Sequence, residues 1–129
     1  MSAIDLLHRI ERAISTQDIE AVADCFSEDF DSVLPLHPAR SFRGRDRVRA
    51  GYEAMFSRFP DLRARLLDHA TDGAKVWSEW EMDGTGPDGT AESIAGVVIF
   101  RLAEDGRAAS NRFYLDPVND GAVNPVTGA

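Results

Sequence analysis

Apolar residues Leu6, Leu7, Ile10 and Ile14 recur at helical spacing, which predicts a first helix over residues 3–14 with one apolar face. Ser2 and Asp5 have the spacing of a capping box, in which each side chain accepts the other's backbone N–H. The stretch TQDIEAVADCF predicts a second helix, with Thr16 as its cap and Ile19, Val22, Ala23 and Phe26 along one side. DSVLPL then reads as a short strand, and Pro35, which has no N–H for a ladder, places it at a sheet edge or a bulge. After Gly44 the helical pattern returns with Val48, Tyr52, Met55, Phe56 and Phe59, until Pro60 ends it.

Beyond Pro60 the apolar period falls from about 3.6 residues to about 2. Strands are expected at LRARLLDHA, AKVWSEWEMD, TAESIAGVVIFRL and AASNRFYLD, separated by turn signals at Asp72-Gly73, DGTGPDG and Asp105-Gly106. Helices followed by an antiparallel meander imply an α+β architecture, with the helices packed on one face of the sheet. The closing stretch NDGAVNPVTGA is small and polar, so the expected organisation is one domain over residues 1–118 and a flexible tail over 119–129.

Composition narrows the function classes. A chain of 129 residues with 43% hydrophobic and 28% charged positions has the make-up of a soluble globular domain able to bury a core without staples. Its net charge of -8 argues against nucleic acid as a partner, because phosphate binding needs a broad positive footprint. No run reaches the roughly 18 apolar residues of a membrane span. The single cysteine, Cys25, excludes an internal disulfide and suits a reducing compartment, and the start MSAIDLLHRIERA lacks the pattern of a secretory signal. The expected location is the cytoplasm. No Cys, His or Asp pattern has metal-ligand spacing and no glycine-rich loop follows a strand, so neither metal nor cofactor is expected.

The order of elements resembles the nuclear transport factor 2-like superfamily. Segment FRGRDRVRAGYEAMFSRFPDLRARLLD is similar to the SnoaL-like polyketide cyclase branch, as are STQDIEAVADCFSEDFD, VWSEWEMDGTGPDG and NRFYLDPV. The resemblance covers roughly residues 3–118. It implies a cone-shaped fold, in which a curved antiparallel sheet and three N-terminal helices on its concave face enclose a pocket. Members range from isomerases and cyclases to non-catalytic binding domains, so the pocket residues must decide function. Ketosteroid isomerases in this superfamily use a tyrosine, a carboxylate base and a neutral acid. Aligned here, those positions hold Ile10, Leu34 or Pro35, and Val98, all apolar. The Asp-Arg-Asp set of limonene-type epoxide hydrolases is likewise replaced, by Trp80, Met82 and Phe113.

The resemblance implies a pocket lined by Ile10, Tyr52, Phe56, Trp80, Met82, Val98, Asn111 and Phe113, suited to a small hydrophobic or aromatic molecule. His37 is the leading catalytic candidate, since histidine exchanges protons near neutral pH, and the alternative is a loop histidine turned to solvent. Asn111 is either a polar handle inside the pocket or a sheet-edge residue. Arg40, Arg43, Arg45, Arg47 and Arg49 gather positive charge on an acidic chain, either as an ion-paired surface or as a site for an anion. Strand alternation points Trp80 into the pocket and Trp77, Glu79 and Glu81 outward, whereas a bulge would bury Glu79 as a general base. Arg112 and Asp116 are expected to pair with each other on the outer face. Cys25 reads as a core residue, and His8 and His69 as surface positions. An outward Trp77, with the resemblance, implies a homodimer through the convex face. Two functional readings remain. One is a SnoaL-like protein that binds a small hydrophobic molecule and performs cofactor-independent cyclisation, isomerisation or dehydration. The other is a non-catalytic binding or dimerisation module.

Overall fold

The computed structural model describes residues 2–118 and Val126. The tail expected over 119–129 thus lies, apart from Val126, outside the described residues.

Helix α1 spans Ala3–Ser15. Ser2 accepts from the Asp5 N–H, and Asp5 accepts from the Ser2 N–H, each at 3.2 Å. This is the capping box the sequence predicts. Leu6, Leu7, Ile10, Ala13 and Ile14 form its buried face. Thr16 ends this helix, its hydroxyl donating to the Arg12 carbonyl, instead of beginning the next. The cap of α2 (Ile19–Asp24) is Asp18, which accepts from the Ala21 N–H.

Helix α2 is shorter than expected, and strand β1 (Phe26–Val33) begins where the sequence predicts more helix. The reason lies across the molecule. Arg107 donates to the Asp24 carbonyl at 2.9 Å and to its carboxylate at 2.8 Å, taking up the end of the helix. The Cys25 carbonyl then accepts from the Ala108 N–H, which starts the chain along its neighbouring strand. The strand expected at DSVLPL stops at Val33 for the reason its proline suggests, and the chain turns through a single 3-10 turn at Pro38–Arg40.

A two-residue strand, β2 (Phe42–Arg43), precedes α3 (Arg45–Arg58). Four further strands follow: β3 (Arg63–Asp72), β4 (Lys75–Thr85), β5 (Ala91–Leu102) and β6 (Ala108–Phe113). The pair Asp116–Pro117 forms β7. The sheet runs β2-β1-β6-β5-β4-β3, with β7 beside β5. It is curved and unclosed, and it is mixed: β1 runs parallel to β6, which corrects the expectation of an antiparallel sheet. The parallel pair is possible because β2, α3 and three further strands separate β1 from β6, a connection long enough to bring the chain back in the same direction.

Strand β4 alternates strictly. Val76, Ser78, Trp80, Met82 and Gly84 are buried, while Trp77 and Glu79 are exposed. The helices cover the buried face, and Leu6, Ile10, Ile14 and Val48 join Val76, Trp80, Val98 and Phe100 in one core.

Gly96 sets where the last strand bends. Phe113 lies opposite Val98 in β6, and Asp116 lies opposite Ala95 in β7. Between them the Tyr114 carbonyl crowds Gly96, where a Cβ would stand 2.3 Å from its oxygen. Gly96 also has φ of 146°, a conformation other residues rarely adopt. Gly96→Ala is therefore expected to lower stability by about 2–4 kcal/mol. An unchanged denaturant midpoint would contradict this role.

Candidate functional site

The curved sheet, α1 and α3 surround a cavity of about 290 Å³. Each element contributes through its alternation. Strand β4 presents Trp80 and Met82, β5 presents Ile94, Val98 and Phe100, and β6 presents Asn111 and Phe113. Phe26, Phe30 and Ser32 come from β1, with Leu34 just beyond it. Helix α1 adds Ile10, and α3 adds Val48, Gly51, Tyr52 and Met55. Phe42, Arg47 and Leu115 complete the wall, and the exposed Arg47 marks the mouth.

Polar groups are few in this wall. Ser32 donates its hydroxyl to the Asn111 side-chain oxygen at 2.7 Å, and both residues are buried. The Asn111 amide nitrogen has no partner among the described residues, so its N–H groups are unspent at the cavity wall. The Trp80 indole is already satisfied. It donates to Ser78 Oγ at 2.7 Å, and Ser78 donates onward to the Val98 carbonyl at 2.7 Å. That chain locks the largest side chain of the wall while removing its N–H from ligand contact. Tyr52 lines the opposite side, and burial pushes its phenol up to about 12, so it is a neutral donor at physiological pH. Among the described residues, no Asp, Glu or His lines the cavity.

The sequence-derived pocket residues Ile10, Tyr52, Trp80, Met82, Val98, Asn111 and Phe113 are thus brought together in one wall. Phe56 is not. It is half-buried one turn along α3, its ring 6.1 Å from that of Tyr52, packed against the core outside the cavity. His37 also lies outside the lining. Its Nε2 meets Asp116 Oδ1 at 2.9 Å, tying the turn after β1 to β7. Asp116 therefore pairs with His37 and not with Arg112, whose guanidinium instead reaches the Tyr114 hydroxyl at 3.4 Å. Glu79 is exposed, so the bulge that would have buried it does not form at that position.

Of the arginine cluster, Arg43 pairs with Asp31 at 3.4 Å, Arg49 pairs with Glu20, and Arg45 donates to the Phe26 carbonyl at 2.8 Å. His8 meets Glu11 on the surface, and His69 is exposed. Around β1, sequence reasoning left Phe26, Phe30 and Ser32 out of the pocket and named Leu34 only through its alignment with the isomerase base. The signal was the i, i+2, i+4 spacing of Phe30, Ser32 and Leu34, hidden because the flanking acids suggested a helix end.

The SnoaL-like domain family matches residues 7–111. The chain belongs to this family. Solved relatives share the SnoaL-like fold at low identity. IdmH, a putative polyketide cyclase from Streptomyces antibioticus, is 19% identical over 90% of this chain and 93% of its own, with a TM-score of 0.77. A putative SnoaL-like polyketide cyclase from Jannaschia is 19% identical over 88% of this chain and 85% of its own, at 0.72. A ketosteroid isomerase-like protein from Catenulispora acidiphila, in complex with trimethylamine, is 14% identical over 85% of each chain, at 0.70. No curated protein matches.

Cys25, near this SnoaL-like cavity, is buried and donates its thiol to the Ala21 carbonyl at 3.3 Å. Burial pushes the thiol up to about 11. The folded state thus holds its proton longer than the unfolded chain, so this group's contribution to stability is constant below the ordinary value of 9.0 and falls as pH rises towards about 11. The native protein is expected to resist a thiol reagent at mildly alkaline pH and to react on unfolding. Rapid native-state labelling would contradict this burial.

Proposed function

We propose that this SnoaL-like protein binds a small hydrophobic or aromatic molecule carrying a carbonyl, with the carbonyl oxygen accepting from Asn111 in the cavity. The observation that supports it most is the buried Ser32–Asn111 hydrogen bond, which fixes the amide and leaves its N–H groups free within an otherwise apolar wall. An unpartnered donor in such surroundings favours a ligand that satisfies it and discriminates against one that does not. A volume of about 290 Å³ suits a bicyclic aromatic body better than a large one.

Calorimetric titration with 2-naphthamide tests the reading. Saturable binding at one site per chain is expected, weakened about tenfold by Asn111→Leu. Val98→Phe, which fills the cavity without touching the polar pair, is expected to weaken binding as well. Absence of saturable binding, or affinity indifferent to both substitutions, would contradict it.

A second reading, cofactor-independent proton transfer in cyclisation, isomerisation or dehydration, has one observation in its favour. Asp116 orients the His37 ring through Nε2, which leaves Nδ1 for proton exchange, and the His37 backbone N–H donates to the carbonyl of the cavity residue Leu34 at 3.1 Å. Within the cavity, Tyr52 and Asn111 are donors suited to a developing enolate, but neither is a base. On this reading His37→Ala slows turnover by roughly 10²–10⁴ while leaving 2-naphthamide affinity within about twofold. Full turnover of an identified substrate by His37→Ala would end it.

The proposal also includes a homodimer through the outer sheet face. Trp77 is 48% exposed there, with Ile99 and Ala70 as its cross-strand neighbours. Sedimentation at micromolar concentration is expected to show a dimer that Trp77→Glu converts to a monomer. A monomeric parent protein would contradict this.

A further inference from the structure

We infer that the natural ligand is an anion at one end: a hydrophobic carboxylate whose acid group is held by Arg47 at the mouth while its body fills the cavity. This rests on the cavity-binding reading above and specifies its ligand class. Arg43 and Arg49 are neutralised by Asp31 and Glu20, and Arg45 is committed to the Phe26 carbonyl. Arg47 differs from them. It lines the cavity, is exposed, and has no carboxylate partner among the described residues.

Its side chain approaches a wall residue. The guanidinium carbon lies 5.8 Å from the centroid of the Phe42 ring, and Phe42 also lines the cavity. A cation–π approach at this distance spends none of the guanidinium N–H groups, which are what take a carboxylate in a two-pronged hydrogen bond. Arg47 is therefore held against the apolar wall with its donors unspent.

Depth separates the two polar stations. Asn111 is 7% exposed, whereas Arg47 is exposed at the rim. A neutral donor in the interior and a cation at the entrance, with apolar wall between, match a molecule with a neutral acceptor at one end and a charged acid at the other. The reverse orientation would bury the charge away from its counter-ion, which is strongly unfavourable. The chain's net charge of -8 disfavours an anion in general, so a carboxylate bound at the mouth needs a local cation such as Arg47.

The test compares 6-acetyl-2-naphthoate with 6-acetyl-2-naphthamide, two probes of nearly equal shape that share a ketone for Asn111 and differ in charge at the other end. Near neutral pH and low salt the parent protein is expected to bind the carboxylate about tenfold more tightly. Arg47→Met removes the preference and Arg47→Lys retains part of it, because lysine keeps the charge without the fork. Arg40→Met, an exposed arginine of the same cluster that does not line the cavity, leaves the preference intact. Added salt weakens the carboxylate and not the amide, a comparison that needs no variant. Equal affinity of the two probes for the parent protein would overturn the inference while the cavity reading stands. So would a preference that survives Arg47→Met. If neither probe binds, the cavity reading fails and takes this inference with it.

Discussion

The parallel pairing of β1 with β6 is the constraint on which the rest of the structure depends. It joins the N-terminal half of the chain to the end of the meander, and it places Ser32 beside Asn111 across 79 residues of sequence. Without it Asn111 would sit on a sheet edge, where its amide would be one more hydrated surface group. With it the amide is buried, fixed by a hydroxyl and aimed into the space beneath α3. The same pairing explains why α2 is short. The chain leaves the helix at Cys25 because Ala108 waits for its carbonyl, and Arg107 closes the helix end through Asp24.

Around that seam the protein divides its polar groups by task. The Trp80–Ser78–Val98 chain is self-satisfied and stiffens the wall. Donors without partners among the described residues sit at Asn111 and Arg47, at different depths of the same cavity. The carboxylates that might have served as bases face outward or belong to ion pairs. Asp116 belongs to His37, Asp31 to Arg43, and Glu81 to Arg65. An acidic chain with a cavity free of acid, among the described residues, is consistent with a site that accepts electron-rich ligands.

Much of the SnoaL-like fold was legible in the sequence because it rests on periodicity. The capping box of α1, the apolar stripe of α3 and the alternation of β4 each follow from local pattern, and β4 correctly turns Trp80 inward. What local pattern does not carry is pairing. The parallel β1–β6 contact, the short α2 and the cavity role of Phe30 and Ser32 all depend on a partner strand some eighty residues away. The site was read unevenly for the same reason. Residues on the meander fall into the cavity by alternation, whereas Phe56 misses it by a fraction of a helical turn that spacing does not resolve. His37 was singled out for its chemistry, yet its ring is bound to Asp116, a residue placed within reach only by the bend at Gly96. Arg47 could not be told from its four neighbours until the partners of Arg43, Arg45 and Arg49 and the lining of the cavity were located.

The central claim is that the Ser32–Asn111 pair presents a donor to a carbonyl inside the cavity. A crystal structure of the protein soaked with 2-naphthamide tests it most directly. The account predicts the aromatic body between Trp80 and Tyr52, with the carbonyl oxygen about 3 Å from Asn111 Nδ2. A ligand seated on the convex face, or one in the cavity with its carbonyl turned away from Asn111, would contradict it.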